Sequence, residues 1–93
     1  MEIILKGQEE CTNAKFNGQL VATQGFISEF GDEAFHIVIN TLEKIIAERV
    51  NSVEGADYLQ VCEYEGVKFW VISDENSSNP SDNVVSFLLP SEY

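Results

Sequence analysis

The sequence predicts an α+β fold in which an antiparallel sheet of four to five strands packs on one long helix. Apolar residues recur at helical spacing over about residues 32–50, and strand-like runs lie on both sides of that segment. The 93 residues are enough for one domain spanning residues 1–93, and the 44% apolar content is typical of a globular chain.

Two segments ahead of the helix have strand character. EIILK (2–6) is short and β-branched and ends at Gly7, so it is predicted as the first strand. Asn17-Gly18 is typical of a hairpin turn and is followed by the strand-like QLVAT (19–23). We therefore expect a hairpin element before the helix.

The helix is expected to begin with Ser28 or Asp32 as its capping residue, because either side chain can accept from free backbone N–H groups. Gly55 is expected to follow its end. Ile37 falls on the polar side in this assignment. The predicted buried stripe consists of Phe35, Val38, Ile39, Leu42, Ile45, Ile46 and either Arg49 or Val50.

DYLQVCEYEGVKFWVIS (57–73) reads as a second hairpin. A two-residue turn at Glu65-Gly66 places Glu63 opposite Lys68, whereas a bulge at Gly66 would shift this register by one residue. With the two-residue turn, one face carries Tyr58, Cys62, Tyr64, Val67, Phe69 and Val71, and the other carries Leu59, Val61, Trp70 and Ile72. VVSFLL (84–89) is nearly continuous in apolar character and is predicted as an interior last strand.

Both faces of the predicted sheet are therefore mostly apolar, and one helix covers only one of them. Either the N-terminal segment folds over the second face, or that face is an exposed apolar patch with an acidic rim. An exposed patch of this kind marks a partner-binding site or a homodimer interface.

Charge narrows the class of partner. Sixteen acidic and five basic residues give a net charge of −11, and Lys68 is the only base after residue 49. Such a chain repels nucleic acid and anionic lipid but attracts a protein with a basic surface, although acidity also serves solubility alone. The predicted partner-binding residues are the acids Asp57, Glu63, Glu65, Asp74, Glu75 and Asp82 and the aromatic anchors Trp70, Tyr58 and Tyr64.

No enzyme chemistry, metal site or cofactor is predicted. His36 is interpreted as an ordinary helix residue and Cys62 as a packing thiol, and Cys11 lies in a polar loop where neighbouring acids disfavour its thiolate. DENSSNPSDN (74–83) contains acids but not the spacing of a calcium loop.

The cysteine content, the N-terminal segment and the distribution of apolar residues predict a cytoplasmic protein. Two cysteines are too few for a disulfide framework, which favours a reducing compartment. MEIILKGQEE lacks the features of a signal peptide, and the chain contains no apolar run of membrane-spanning length.

TQGF (23–26), the helix after it and DYLQVCEY (57–64) resemble a small uncharacterised family known from staphylococci and related bacteria. The chain departs from that family at VNSVEG (50–55), at Cys62 and in the DENSSNP loop. The resemblance implies an α+β fold and no particular activity. In general character, small, acidic and without catalytic motifs, the chain also resembles phage-encoded inhibitors of CRISPR and restriction systems.

The sequence thus predicts a non-enzymatic inhibitor that blocks a basic nucleic-acid-binding surface of a defence nuclease, such as a Cas or restriction effector. The alternative is a cytoplasmic homodimeric domain whose acidity serves only solubility.

Overall fold

The computed structural model describes residues 1–10, 12–75 and 78–93. Helical structure runs from residue 24 to residue 50 and packs on a five-stranded sheet of order β1-β3-β4-β5-β2. All strand pairs are antiparallel except β2 and β5, which are parallel, so the predicted α+β fold is confirmed with a mixed sheet. The strands are β1 (Ile4–Leu5), β2 (Gln19–Ala22), β3 (Leu59–Tyr64), β4 (Val67–Asp74) and β5 (Val84–Leu88), and the helices are α1 (Gln24–Phe30) and α2 (Ala34–Ile45).

The central hairpin has the predicted register. Glu63 pairs with Lys68 and Val61 with Trp70 across β3 and β4. Glu65 and Gly66 both have positive φ angles, 50° and 83°, as a two-residue turn that matches the twist of the strands requires. β5 lies between β4 and β2, so its prediction as an interior strand is also confirmed.

The helix begins earlier than predicted. Thr23 caps α1 by accepting a hydrogen bond of 3.2 Å from the Phe26 amide, whereas Ser28 and Asp32 lie within helical turns. A 3₁₀ turn at Gly31–Glu33 joins α1 to α2, and a π turn at Ile46–Val50 extends α2. The predicted cap was wrong because the apolar period was read only from residue 32 onward.

The buried stripe of α2 is also rotated relative to the prediction. Ile37, assigned to the polar side, is fully buried, and Phe35, assigned to the core, is 69% exposed. The buried positions of α2 are Ala34, Ile37, Thr41 and Ile45, which follow a 3.6-residue period. Ile45 is buried as predicted, and Val38, Leu42 and Val50 are partly buried against the core. The prediction missed Ile37, and it missed the small buried residues Ala34 and Thr41 because only large apolar side chains were counted.

Asn17-Gly18 does not form a hairpin turn. The Gln19 amide donates to the Asn83 carbonyl at 2.9 Å, and the Asn83 side chain donates to Asn17 Oδ1 at 3.1 Å. These bonds start a parallel ladder with β5, so β2 is an edge strand joined to the distant C-terminal part of the chain. A local turn signal was overridden by this long-range pairing.

The core lies between the helices and one face of the sheet. Phe26 anchors it, with its ring centroid 5.4 Å from that of Phe69. Other fully buried members are Phe16, Ile37, Ile45, Cys62, Val71, Val85 and Phe87. In the described ranges no helix combines the length and apolar character needed to cross a membrane.

Candidate protein-binding face

The sheet face that points away from the helices carries a strip of partly exposed apolar side chains. Trp70 lies in its centre, paired with Val61 on one side and Leu88 on the other. We call this the open face; its half-buried apolar members on β3, β4 and β5 are Leu59, Val61, Trp70, Ile72 and Val84. It is the second face that the sequence left unassigned.

The chain covers this face only in part. The ring of Tyr93, after the C-terminal 3₁₀ turn, meets the Trp70 ring edge-on at a centroid distance of 5.2 Å. Phe16 of the N-terminal segment lies in the core and not on the open face, because it is fully buried and its amide donates to Ser73 Oγ at 3.3 Å.

Exposed carboxylates lie at both ends of the open face. Glu65 occupies the β3–β4 turn, whereas Asp74 ends β4 and Asp82 lies in the 3₁₀ turn just before β5. The eight residues of β4 separate these ends by roughly 25 Å at about 3.3 Å per residue. Tyr58, 43% exposed, directly precedes β3 at the Asp74 end. The face thus has an apolar middle and anionic ends.

Glu63 lies on the same face but its charge is compensated. Its carboxylate is 3.3 Å from Lys6 Nζ, and Lys68 is its cross-strand neighbour. Glu63 therefore contributes less negative potential than the acids at the two ends.

Asp57 and Glu75 have structural roles. The Asp57 side chain is almost fully buried and accepts from the Glu10 amide at 3.0 Å, which ties the N-terminal loop to the start of the hairpin. Glu75 accepts from the Lys15 amide and, at 3.0 Å, from Ser73 Oγ. Their carboxylates hold the N-terminal segment, so we do not assign them to the partner-binding set.

Tyr64 lies on the helix side of the sheet, not on the open face. Its hydroxyl donates to Glu33 Oε2 at 2.7 Å, and this bond, with burial and the nearby charges of Glu33 and Glu65, raises the pKa of Tyr64 to about 12. Of the three predicted aromatic anchors, Trp70 is on the open face, Tyr58 borders it and Tyr64 belongs to the core.

Cys62 and His36, the side chains considered for catalysis, lie in different parts of the fold. Burial raises the pKa of the Cys62 thiol to about 12 despite the opposing charge of Arg49, so the thiol stays protonated at neutral pH. His36 lies on the exposed side of α2 with its ring 5.9 Å from that of Phe35. Among the described residues no group of three His, Cys, Asp or Glu side chains is arranged to hold a metal ion. Cys11 and part of the 74–83 loop lie outside the described residues.

A second apolar surface was missed by the sequence analysis. It is a groove of about 460 Å³ between β2 and the helices, and we call it the β2 groove. Its most exposed apolar side chains are Leu20, Ile27 and Phe35, and Val21 borders it at the strand edge, where its side chain alternates to the other face of the sheet. The signal was the absence of polar alternation in QLVA, which the sequence analysis interpreted only as strand propensity.

Comparison with known proteins gave no match to a protein-family model, to a curated protein or to a solved structure. The resemblance based on TQGF and DYLQVCEY therefore stays a prediction, and function has to be inferred from the geometry of the two surfaces.

Proposed function

We propose that this protein is a non-enzymatic inhibitor whose open face occupies a basic nucleic-acid-binding surface on another protein, with defence nucleases as the partner class. The observation that carries the proposal is a partly exposed apolar strip, centred on Trp70, with exposed carboxylates at both ends.

The apolar strip and the acidic ends of the open face contribute to binding in different ways. The strip supplies the apolar area, and Trp70 is its anchor, because tryptophan dominates interface energetics when its ring is desolvated. Glu65 at one end, and Asp74 with Asp82 at the other, supply the charge that speeds encounter with a basic surface and fixes orientation.

The spacing suits a basic channel. Roughly 25 Å between the two acidic ends spans about seven phosphate intervals of a nucleic-acid strand at 3.4 Å each. The two ends therefore engage separate Lys and Arg clusters of such a channel, while the apolar strip fills the space between them. The protein thus competes with nucleic acid for the channel, although it does not place an acidic group at the position of every phosphate.

Displacement of labelled nucleic acid from purified CRISPR and restriction nucleases tests this proposal. The double variant Glu65→Lys/Asp74→Lys should weaken displacement at least tenfold, because the Glu65 end becomes cationic and the other end, where Asp82 remains, loses its net negative charge. Glu43→Lys/Glu48→Lys is the matched control: both of its sites are exposed on the helical layer, and it raises the net charge of −11 by the same four charges. Direct binding of the wild-type protein to the nuclease, measured without nucleic acid, should weaken as the salt concentration rises.

If no nuclease loses its nucleic acid to the wild-type protein, the proposed function is wrong. If both double variants weaken displacement equally, net charge acts without the open face, and the geometric part of the proposal fails. Trp70→Ala tests the apolar strip in the same assay, with an expected loss of at least tenfold.

A further inference from the structure

The outer edge of β2 has no strand beside it in the described part of the chain. β2 ends the sheet order and pairs only with β5. Natural edge strands are normally protected by a lysine, a proline, a bulge or a covering segment. QLVA contains none of the protective residues, and Leu20 and Val21 are both exposed.

The free backbone groups of this edge can be assigned. The Gln19 amide donates to Asn83 and the Thr23 amide to Phe87, so alternate residues of the strand face β5. By the alternation of a parallel ladder, the N–H and C=O groups of Leu20 and Ala22 point away from the sheet. Two residues thus present four hydrogen-bonding groups, with Val21 between them.

We infer that two copies of this chain associate through β2, antiparallel and about a two-fold axis at Val21. In that register Leu20 of one copy lies opposite Ala22 of the other, and the two residues exchange both of their backbone hydrogen bonds. Both edges are then satisfied at once by four hydrogen bonds, as a self-complementary two-fold interface requires. Val21 meets its own copy at the close, non-hydrogen-bonded position.

The β2 groove fits the same arrangement. It lies on the helix side of β2, and Phe35, 69% exposed, projects from its wall. A groove and a projecting ring on one surface are the two halves of a self-complementary contact. Pairing the edges brings Phe35 and Ile27 of one copy toward the groove of the other.

Charge favours a second copy over a basic peptide. The chain carries −11, yet the only charged residue that lines this groove is Asp32. Loss of charge at the centre is typical of homodimer interfaces, and a basic strand would find almost no acidic partner here. The inference concerns the outer edge of the sheet and the groove on its helix side, and it does not rest on the proposed function.

Sedimentation of the full chain over a concentration series tests the inference. We expect a monomer–dimer equilibrium that strengthens with added salt, because salt screens the repulsion between two acidic copies. Val21→Lys should weaken the dimer about tenfold or more, since like charges opposite each other across strands are destabilising. Ile4→Lys is the control, because Ile4 lies on the other edge strand and is exposed to 43%, against 42% for Val21.

Amide exchange supplies a second measurement that needs no variant. Exchange at Leu20 and Ala22 should slow as the concentration of the wild-type chain rises, while exchange at Ile4 stays unchanged. A monomer at every concentration, or a dimer weakened by Trp70→Ala and not by Val21→Lys, would overturn the inference. Preferential binding of an alternating Val-Lys peptide to this edge, weakened by salt, would overturn it in favour of a heterologous strand.

Discussion

Gly18 shows at the scale of one residue how β2 is attached. Its φ angle is 122°, and a Cβ there would lie 2.3 Å from the Asn83 carbonyl oxygen. Backbone approaches backbone at this point, so no side-chain rotation relieves the contact. The residue is glycine because the strand has to start against the loop before β5.

Gly18→Ala should therefore destabilise the fold by about 2 kcal/mol or more, from the combined cost of strained φ and steric contact. Gly7→Ala is the control, because a Cβ at Gly7 meets no atom within 4 Å. Urea unfolding followed by circular dichroism measures both. Equal stability of the two variants would show that β2 is not held against Asn83.

Cys62 gives a second residue-scale prediction. Burial is the main cause of its raised pKa of about 12. The Cys11→Ser variant leaves Cys62 as the only thiol. In that variant, iodoacetamide at neutral pH should react with Cys62 far more slowly in the native state than in urea. The rate of thiol loss measures this difference. Equal native and unfolded rates would mean that the helix side of the sheet is open to solvent.

At the scale of elements, the C-terminal turn is fastened to the start of α1. The Glu92 carboxylate accepts from Thr23 Oγ1, from the Leu89 amide at 3.0 Å and from the Gly25 amide at 3.1 Å. A Cβ on Gly25 would meet this carboxylate at 2.4 Å. TQGF is therefore a structural motif: a cap, a close approach of backbone to carboxylate, and the core residue Phe26.

These hydrogen bonds lower the pKa of Glu92 below its ordinary value of 4.5, and the bond from Thr23 has the largest effect. A carboxyl group whose pKa is lower in the folded state stabilises the fold above its unfolded pKa, and loses that contribution as the pH falls through the folded pKa. Glu92→Gln should therefore be less stable than wild type at neutral pH, with a difference that disappears in acid. Urea unfolding at both pH values measures it, and a difference that does not change with pH would contradict the assignment.

The sequence predicted elements where a local pattern and the tertiary fold agree. The β3–β4 register followed from the Glu65-Gly66 turn, and β5 from its continuous apolar run. The pattern failed where a distant residue decides the outcome, because Asn17-Gly18 is held by Asn83 and the helix start is fixed by Thr23 with Glu92.

The candidate site was predictable to a similar degree. Alternation in the hairpin gave the two faces, and Trp70, Glu65, Asp74 and Asp82 lie on the open face or at its ends. The burial of Asp57 by the N-terminal loop and the hydrogen bond of Tyr64 to Glu33 depend on contacts across 31 or more residues. No local pattern carries that information.

At the scale of the whole molecule, one helical layer on one sheet leaves the other sheet face with partly exposed apolar side chains. Acids are also present on the helix side, for example Glu29 and Glu43, so negative charge alone does not define the proposed binding surface. What distinguishes the open face is the apolar strip between its acidic ends. Partner binding there should therefore depend on Trp70 as well as on the carboxylates.

Acrylamide quenching of Trp70, the only tryptophan in the chain, tests most directly whether this face is uncovered. We expect substantial quenching in the native state and stronger quenching in Tyr93→Ala, because the Tyr93 ring lies against the indole. The control Tyr58→Ala should leave quenching unchanged. If acrylamide quenches the native fluorescence of neither the wild type nor Tyr93→Ala, Trp70 is shielded from solvent and the open face is not available for binding.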